Sequence, residues 1–145
     1  MIRFRVGLVA LLMLAGCGGE PSSLDQGRQS AAPTIDWKAA EAITVRMSDF
    51  AFEPENLSLR AGRSVRLLLV NESGSEHNFS APELFAGSSF GPASAAIDDG
   101  GVTVAAHQTA EVDLVPAKPG DYPLECTELL HSMFGMTGSI EVTAR

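Results

Sequence analysis

Near its C-terminus the chain carries a thiol, an imidazole and a thioether at even spacing: Cys126, His131 and Met136, a Cys-x4-His-x4-Met pattern. A second histidine, His77, stands well upstream in an extended run, His77-Asn78-Phe79. One thiolate and two neutral imidazoles in a plane, with a weak thioether above it, make a soft donor set that suits copper as Cu(I) and as Cu(II). One geometry then serves both oxidation states, so an electron can come and go with little rearrangement. The condition is that the fold carries His77 to the Cys126 loop. Taken singly, each residue has an ordinary explanation. A lone His is usually a surface or hydrogen-bonded group, a Met beside Phe134 usually packs in a core, and a Cys ending a strand is often a small buried hydrophobe. The joint spacing points to a metal.

The elements that must position these donors read as β-strands. Ile43 to Met47 alternates with period two, as do Leu57 to Arg60, Val102 to Val104 and Val112 to Val115. Val65 to Val70 is a more continuous apolar run. His77 to Ser80, Tyr122 to Cys126 and Ser139 to Thr143 complete about eight short strands, separated by turn clusters such as Ala61-Gly62, Asn71 to Ser75 and Pro119-Gly120-Asp121. The expected fold is all-β, a Greek-key sandwich or barrel. About 100 residues in two sheets can bury an adequate core without disulfides. Residues 81–100 form one long connection with room for a short helix. Cys126 would end one strand, His131 would sit in the turn, and Met136 would enter the last strand between Gly135 and Gly138.

The chain begins with Arg3 and Arg5, then a short apolar run from Val6 to Ala15, too short to span a bilayer as a helix. It ends in Leu14-Ala15-Gly16-Cys17, which resembles the lipobox of bacterial lipoproteins. That resemblance implies a signal peptide over residues 1–16, cleavage before Cys17 and acylation of that Cys with fatty acid such as palmitate. Residues 17–41 are small and polar and read as a lipidated, flexible tether, with Trp37 either packed on the domain or exposed. Residues 42–145 form the folded domain. The chain has two Cys. With Cys17 acylated, Cys126 stands alone in an oxidising compartment, where a single thiol needs a reason such as a metal.

Loss of residues 1–16 removes Arg3 and Arg5 and leaves eight basic against 18 acidic residues. A net charge near −10 excludes nucleic acid, whose binding rests on cations at phosphate, and excludes electrostatic attraction to anionic lipid. Membrane attachment would come from the acyl chain. An acidic surface favours a partner with a basic patch. Asp98-Asp99 lies in a Gly-flanked turn and is turn chemistry. No nucleophile–base pair and no phosphate loop is present, so nothing in the sequence supports an enzyme. His107 is assigned no function.

From Phe50-x-Phe52-x-Pro54 through Ala61-Gly62, Val70-Asn71, His77-Asn78-Phe79, Pro119-Gly120-x-Tyr122, Cys126-Thr127, His131 and Gly135-Met136-x-Gly138, the chain resembles the cupredoxins, the family of plastocyanin, azurin and rusticyanin. The ligand-loop spacing is most similar to the rusticyanin type. The resemblance implies a type 1 copper ion held by His77, Cys126, His131 and Met136, with Met133 a rival for the axial position. It implies that Asn78 and Thr127 join the two ligand segments around the thiolate, and that Tyr122 is a tyrosine corner. It also implies an apolar electron-transfer patch from Leu129, Leu130, Met133 and Phe134, residues that could instead cap the core. Glu128 puts a charge in the ligand loop, and Leu130 stands where many relatives have Gly or Pro.

The expected function is single-electron transport by a monomeric copper protein between redox partners with a basic or apolar docking patch. The expected location is the cell envelope, lipid-anchored at the outer membrane and facing the periplasm. The alternative is a periplasmic copper carrier or resistance protein of the same fold with no redox role.

Overall fold

The period-two patterns become two five-stranded sheets. The computed structural model describes residues 34–128 and 134–144, so the leader, Cys17 and most of the tether lie outside the described residues. Ten strands are described: β1 (Glu41–Ser48), β2 (Ala51–Glu53), β3 (Asn56–Arg60), β4 (Val65–Asn71), β5 (His77–Ser80), β6 (Ser88–Phe90), β7 (Gly101–Val104), β8 (Thr109–Pro116), β9 (Gly120–Glu125) and β10 (Thr137–Thr143). One short helix, α1 (Pro82–Ala86), lies between β5 and β6. The sheet orders are β2-β1-β4-β8-β6 and β3-β10-β9-β5-β7. β1 runs parallel to β4 and β3 parallel to β10, while the other pairs are antiparallel. Neighbours distant in sequence are the mark of Greek-key connection.

Eight of these strands are the runs that the sequence marks as strands. β2 and β6 add two more, each of three residues. Three residues are too few to display a period, and both are held by a longer neighbour, β1 and β8 respectively. The long connection contains α1, which starts with Pro82, whose fixed φ suits a first helical position. α1 buries Leu84 and Phe85.

The core sits between the sheets and draws on both. β4 turns Val65, Leu67 and Leu69 inward, with exposures of 1% or less. β3 contributes Leu57 and Leu59, β10 Ile140 and Val142, and β8 Val112 and Leu114. Phe52, Phe79, Phe85 and Phe90 form a chain of ring contacts at 6.0, 6.2 and 5.6 Å between centroids. Asp113 on β8 is 1% exposed. Arg66 neutralises it with two bonds of 2.7 and 2.9 Å, so this buried charge is paired and hydrogen-bonded.

The end of the chain that precedes β1 is attached to the domain. Asp36 starts a single 3-10 turn, Trp37–Ala39, and its carbonyl accepts from the Ser64 hydroxyl at 3.3 Å. Trp37 is half-buried against Gly91, where an added Cβ would stand 3.0 Å from the Trp37 Cδ2 and 2.5 Å from the Asp113 Cβ. Trp37 therefore packs on the domain.

The turn into β9 is fixed by Tyr122, which is half-buried and donates its hydroxyl hydrogen to the Lys118 carbonyl at 3.0 Å, the geometry of a tyrosine corner. Tyr122→Phe removes that bond alone. The expected cost is about 1 kcal/mol, read as a lower urea midpoint with an unchanged slope.

Candidate metal centre

Strand alternation delivers the donors. On β5 the residues His77 and Phe79 face inward, with Asn78 on the opposite face. β7 holds that register by pairing His77 with Val104 and Phe79 with Val102. On β9 the same alternation turns Leu124 inward, and Cys126, one step beyond the strand end, follows it. β10 pairs with β9 from Thr137 opposite Glu125. The Cys126 N–H then donates to the Met136 carbonyl at 3.0 Å and closes the base of the ligand loop. Gly135 has φ of +100°, and an added Cβ at Gly138 would collide with the Glu55 carbonyl of the chain leading into β3. Glycines on both sides thus let Met136 approach Cys126 under a close backbone crossing.

His77, Cys126 and Met136 are each 0% exposed and are in contact. The His77 Nδ1 stands 3.8 Å from the Cys126 Sγ. An imidazole nitrogen and a thiolate sulfur bound to one ion at about 2.1 and 2.3 Å, with an angle near 120° between them, would stand about 3.8 Å apart. The other ring nitrogen, Nε2, lies 3.6 Å from the Asp49 carboxylate.

Asn78 ties the two ligand segments together. Its carbonyl oxygen accepts from the Thr127 N–H at 2.8 Å, and its amide donates to the Thr127 hydroxyl at 2.7 Å. Its backbone N–H points at the Cys126 sulfur at 3.4 Å. Burial pushes the Cys126 thiol up from its ordinary pKa. The N–H groups of Asn78 and Glu128 pull it partly back, and the carboxylates of Glu128 and Glu125 raise it further.

The chain matches the family of cupredoxin-like domains over residues 8–142. It belongs to the cupredoxins. No curated protein matches it by sequence. The fold is similar to that of auracyanin B, with 24% identity, a TM-score of 0.55, and coverage of 72% of this chain and 89% of that one. It is similar to auracyanin A, a "blue" copper protein from Chloroflexus aurantiacus, at 23% identity, TM-score 0.51, and coverage of 70% and 98%. It is also similar to the McoA multicopper oxidase from the hyperthermophile Aquifex aeolicus, at 18% identity and TM-score 0.57, but covers only 32% of that chain. At these identities the structural likeness carries the fold alone.

A cupredoxin implies copper, and the described residues fit it. They offer one sulfur, one imidazole nitrogen and one thioether, buried and mutually in reach, with a separation suited to two donors on one ion. His131, Leu129, Leu130 and Met133 lie outside the described residues. Among the described residues no cluster of three or more His, Cys, Asp or Glu side chains is present, as expected where Met136 supplies a donor and His131 is not included. Phe134 is 63% exposed, so it does not cap the core; its ring contacts that of Phe50 at 5.3 Å. His107 lies in the turn before β8, with φ of +58° and its N–H on the Ser73 carbonyl.

The sequence gives no sign of Asp49 and offers Phe50 only as part of a matching motif, with no role at the site; the two form the turn between β1 and β2. No local spacing relates them to His77 or Phe134. Only the hairpin brings them there.

Two outcomes follow from this geometry. Asn78→Ala removes two short side-chain bonds, and the metal-free domain should lose about 1–2 kcal/mol in chemical denaturation. A thiol whose pKa is raised by folding holds its proton longer in the folded state than in the unfolded one. Its contribution is complete below the ordinary thiol pKa and is lost as pH rises through the raised one. The melting temperature of the metal-free domain should therefore fall on moving to alkaline pH, and Cys126→Ser should flatten that fall.

Proposed function

We propose that this cupredoxin holds one copper ion through His77, Cys126, Met136 and His131 and carries single electrons between protein partners. The observation that carries the reading is the contact of His77, Cys126 and Met136, drawn from separate segments and each 0% exposed. When bound, copper supplies a one-electron couple between Cu(I) and Cu(II). The residues do the rest. Cys126 gives up its thiol proton on metal binding, and its sulfur accepts the Asn78 N–H, which tempers its donation. His77 presents Nδ1 to the same point. The apolar packing of Met136, Leu124 and Phe79 keeps water out.

Phe134 and Phe50 offer an exposed apolar contact close to Met136 in the chain and in the hairpin. With a formal charge of −8 on the whole chain, the partner that associates fastest has a basic rim around an apolar face. We place the domain in the cell envelope, anchored by a lipid on Cys17 at the outer membrane and acting as a monomer. The support for that placement is the Leu14-Ala15-Gly16-Cys17 motif after a short apolar run.

The test is a copper titration of the chain carrying Cys17→Ser, which removes a competing thiol. The expected result is 1:1 binding, an intense visible thiolate-to-copper band and a reversible Cu(II)/Cu(I) wave. At a thousandfold excess over Kd, copper should add about 4 kcal/mol of stability. Cys126→Ser should abolish the band. A band that survives this change overturns the site. Binding of Cu(I) alone with no reversible couple overturns electron transfer in favour of a copper carrier.

A further inference from the structure

The turn between β1 and β2 reaches both ligand-bearing segments at once. Ser48 pairs with Ala51, so the hairpin closes on two residues, Asp49 and Phe50. Phe50 has φ of +67°. A position of positive φ in such a turn ordinarily takes Gly or Asn, and a bulky residue there is an outlier. The two side chains go to different places. The Phe50 ring meets Phe134, two residues before Met136, at 5.3 Å. The Asp49 carboxylate meets the Nε2 of His77 at 3.6 Å, on the far side of the ring from Cys126.

We propose that Asp49 is a positioning residue for the metal centre: it holds the His77 ring with Nδ1 aimed at the Cys126 sulfur and favours the oxidised ion over the reduced one. This rests on the copper reading above. The ring can flip about its χ2 torsion, which exchanges Nδ1 with a carbon and Nε2 with another. A carboxylate at Nε2 discriminates between these orientations, because only one presents an N–H to it. It also selects the tautomer that carries its hydrogen on Nε2, which leaves the Nδ1 lone pair for a metal. Metal-bound imidazoles usually direct their second nitrogen to a carboxylate, a carbonyl or water for this reason. At 3.6 Å the contact exceeds hydrogen-bond length and acts through charge. Asp49 is 64% exposed, so salt should weaken its effect.

Two variants in the Cys17→Ser chain separate the two parts of the role. Asp49→Asn removes the charge and keeps an acceptor oxygen. Asp49→Ala removes both. In the metal-free chain, nitrogen-15 NMR of the His77 ring should show the Nε2–H tautomer in the wild-type residue background, with the other tautomer rising in Asp49→Asn and rising further, severalfold, in Asp49→Ala. In the copper-loaded chain both variants should raise the reduction potential by a threefold to tenfold shift in the Cu(I)/Cu(II) ratio, about 59 mV at the tenfold limit. The difference should shrink as ionic strength rises. If Asp49→Ala leaves both the tautomer and the potential unchanged while the visible band and the reversible wave are intact, the role of Asp49 is overturned and the copper reading stands. If the parent chain gives no visible band, the copper reading is overturned and this inference with it.

Discussion

The proposed metal centre depends on the side-chain tie of Asn78 across two strands that have stopped pairing. β5 and β9 are neighbours, yet they share one register pair, Ser80 with Glu125. On their other sides they are held far more completely, β5 by β7 at four positions and β9 by β10 at six. Beyond Ser80 and Glu125 the ladder between them ends, and toward His77 and Cys126 the Asn78 side chain takes its place. It bonds the Thr127 backbone and hydroxyl, and its own N–H turns to the sulfur. An ordinary ladder would place backbone groups against each other at a fixed spacing of about 4.8 Å. The side-chain bridge lets that spacing be set by what the inward side chains need, while still satisfying the backbone groups that the parted strands leave open.

Two of the polar places in the described interior are of opposite design. Asp113 is a buried charge fully met by Arg66 within one sheet, so it asks nothing of solvent or ligand. Cys126 is buried, and that burial, with carboxylates of Glu128 and Glu125 nearby, pushes its thiol up from its ordinary pKa. The first arrangement stabilises an already paired charge. The second disfavours a charge on the sulfur, so a cation held there as proposed would couple its binding to proton release.

Much of this was legible in the sequence, for local reasons. Val65-Arg66-Leu67-Leu68-Leu69 is a nearly continuous apolar run of strand length, and β4 follows it. Pro119-Gly120-x-Tyr122 needs only the next few residues to be a corner, and it is one. The Asn78–Thr127 tie came from resemblance and is present as a pair of short bonds. The short strands β2 and β6 were not legible, because their pairing partners β1 and β8 define them. Asp49 was not legible at all. Its relation to His77 exists only after β1 has paired with both β2 and β4 and carried the hairpin tip to the end of the other sheet. His131, Leu129, Leu130 and Met133 remain expectations of the sequence.

The backbone at Phe50 has a consequence for how this protein could be altered. A left-handed conformation at a non-glycine residue costs on the order of 1–3 kcal/mol, a sizeable share of the 5–15 kcal/mol that a domain has to spare. A chain selected for robustness alone would carry Gly or Asn there. Phe50 keeps its ring on Phe134 instead, at the edge of the ligand loop. The hairpin tip is therefore a place where thermal tolerance and activity pull in opposite directions. Efforts to harden the domain by repairing that turn would gain stability by loosening the loop that carries Met136.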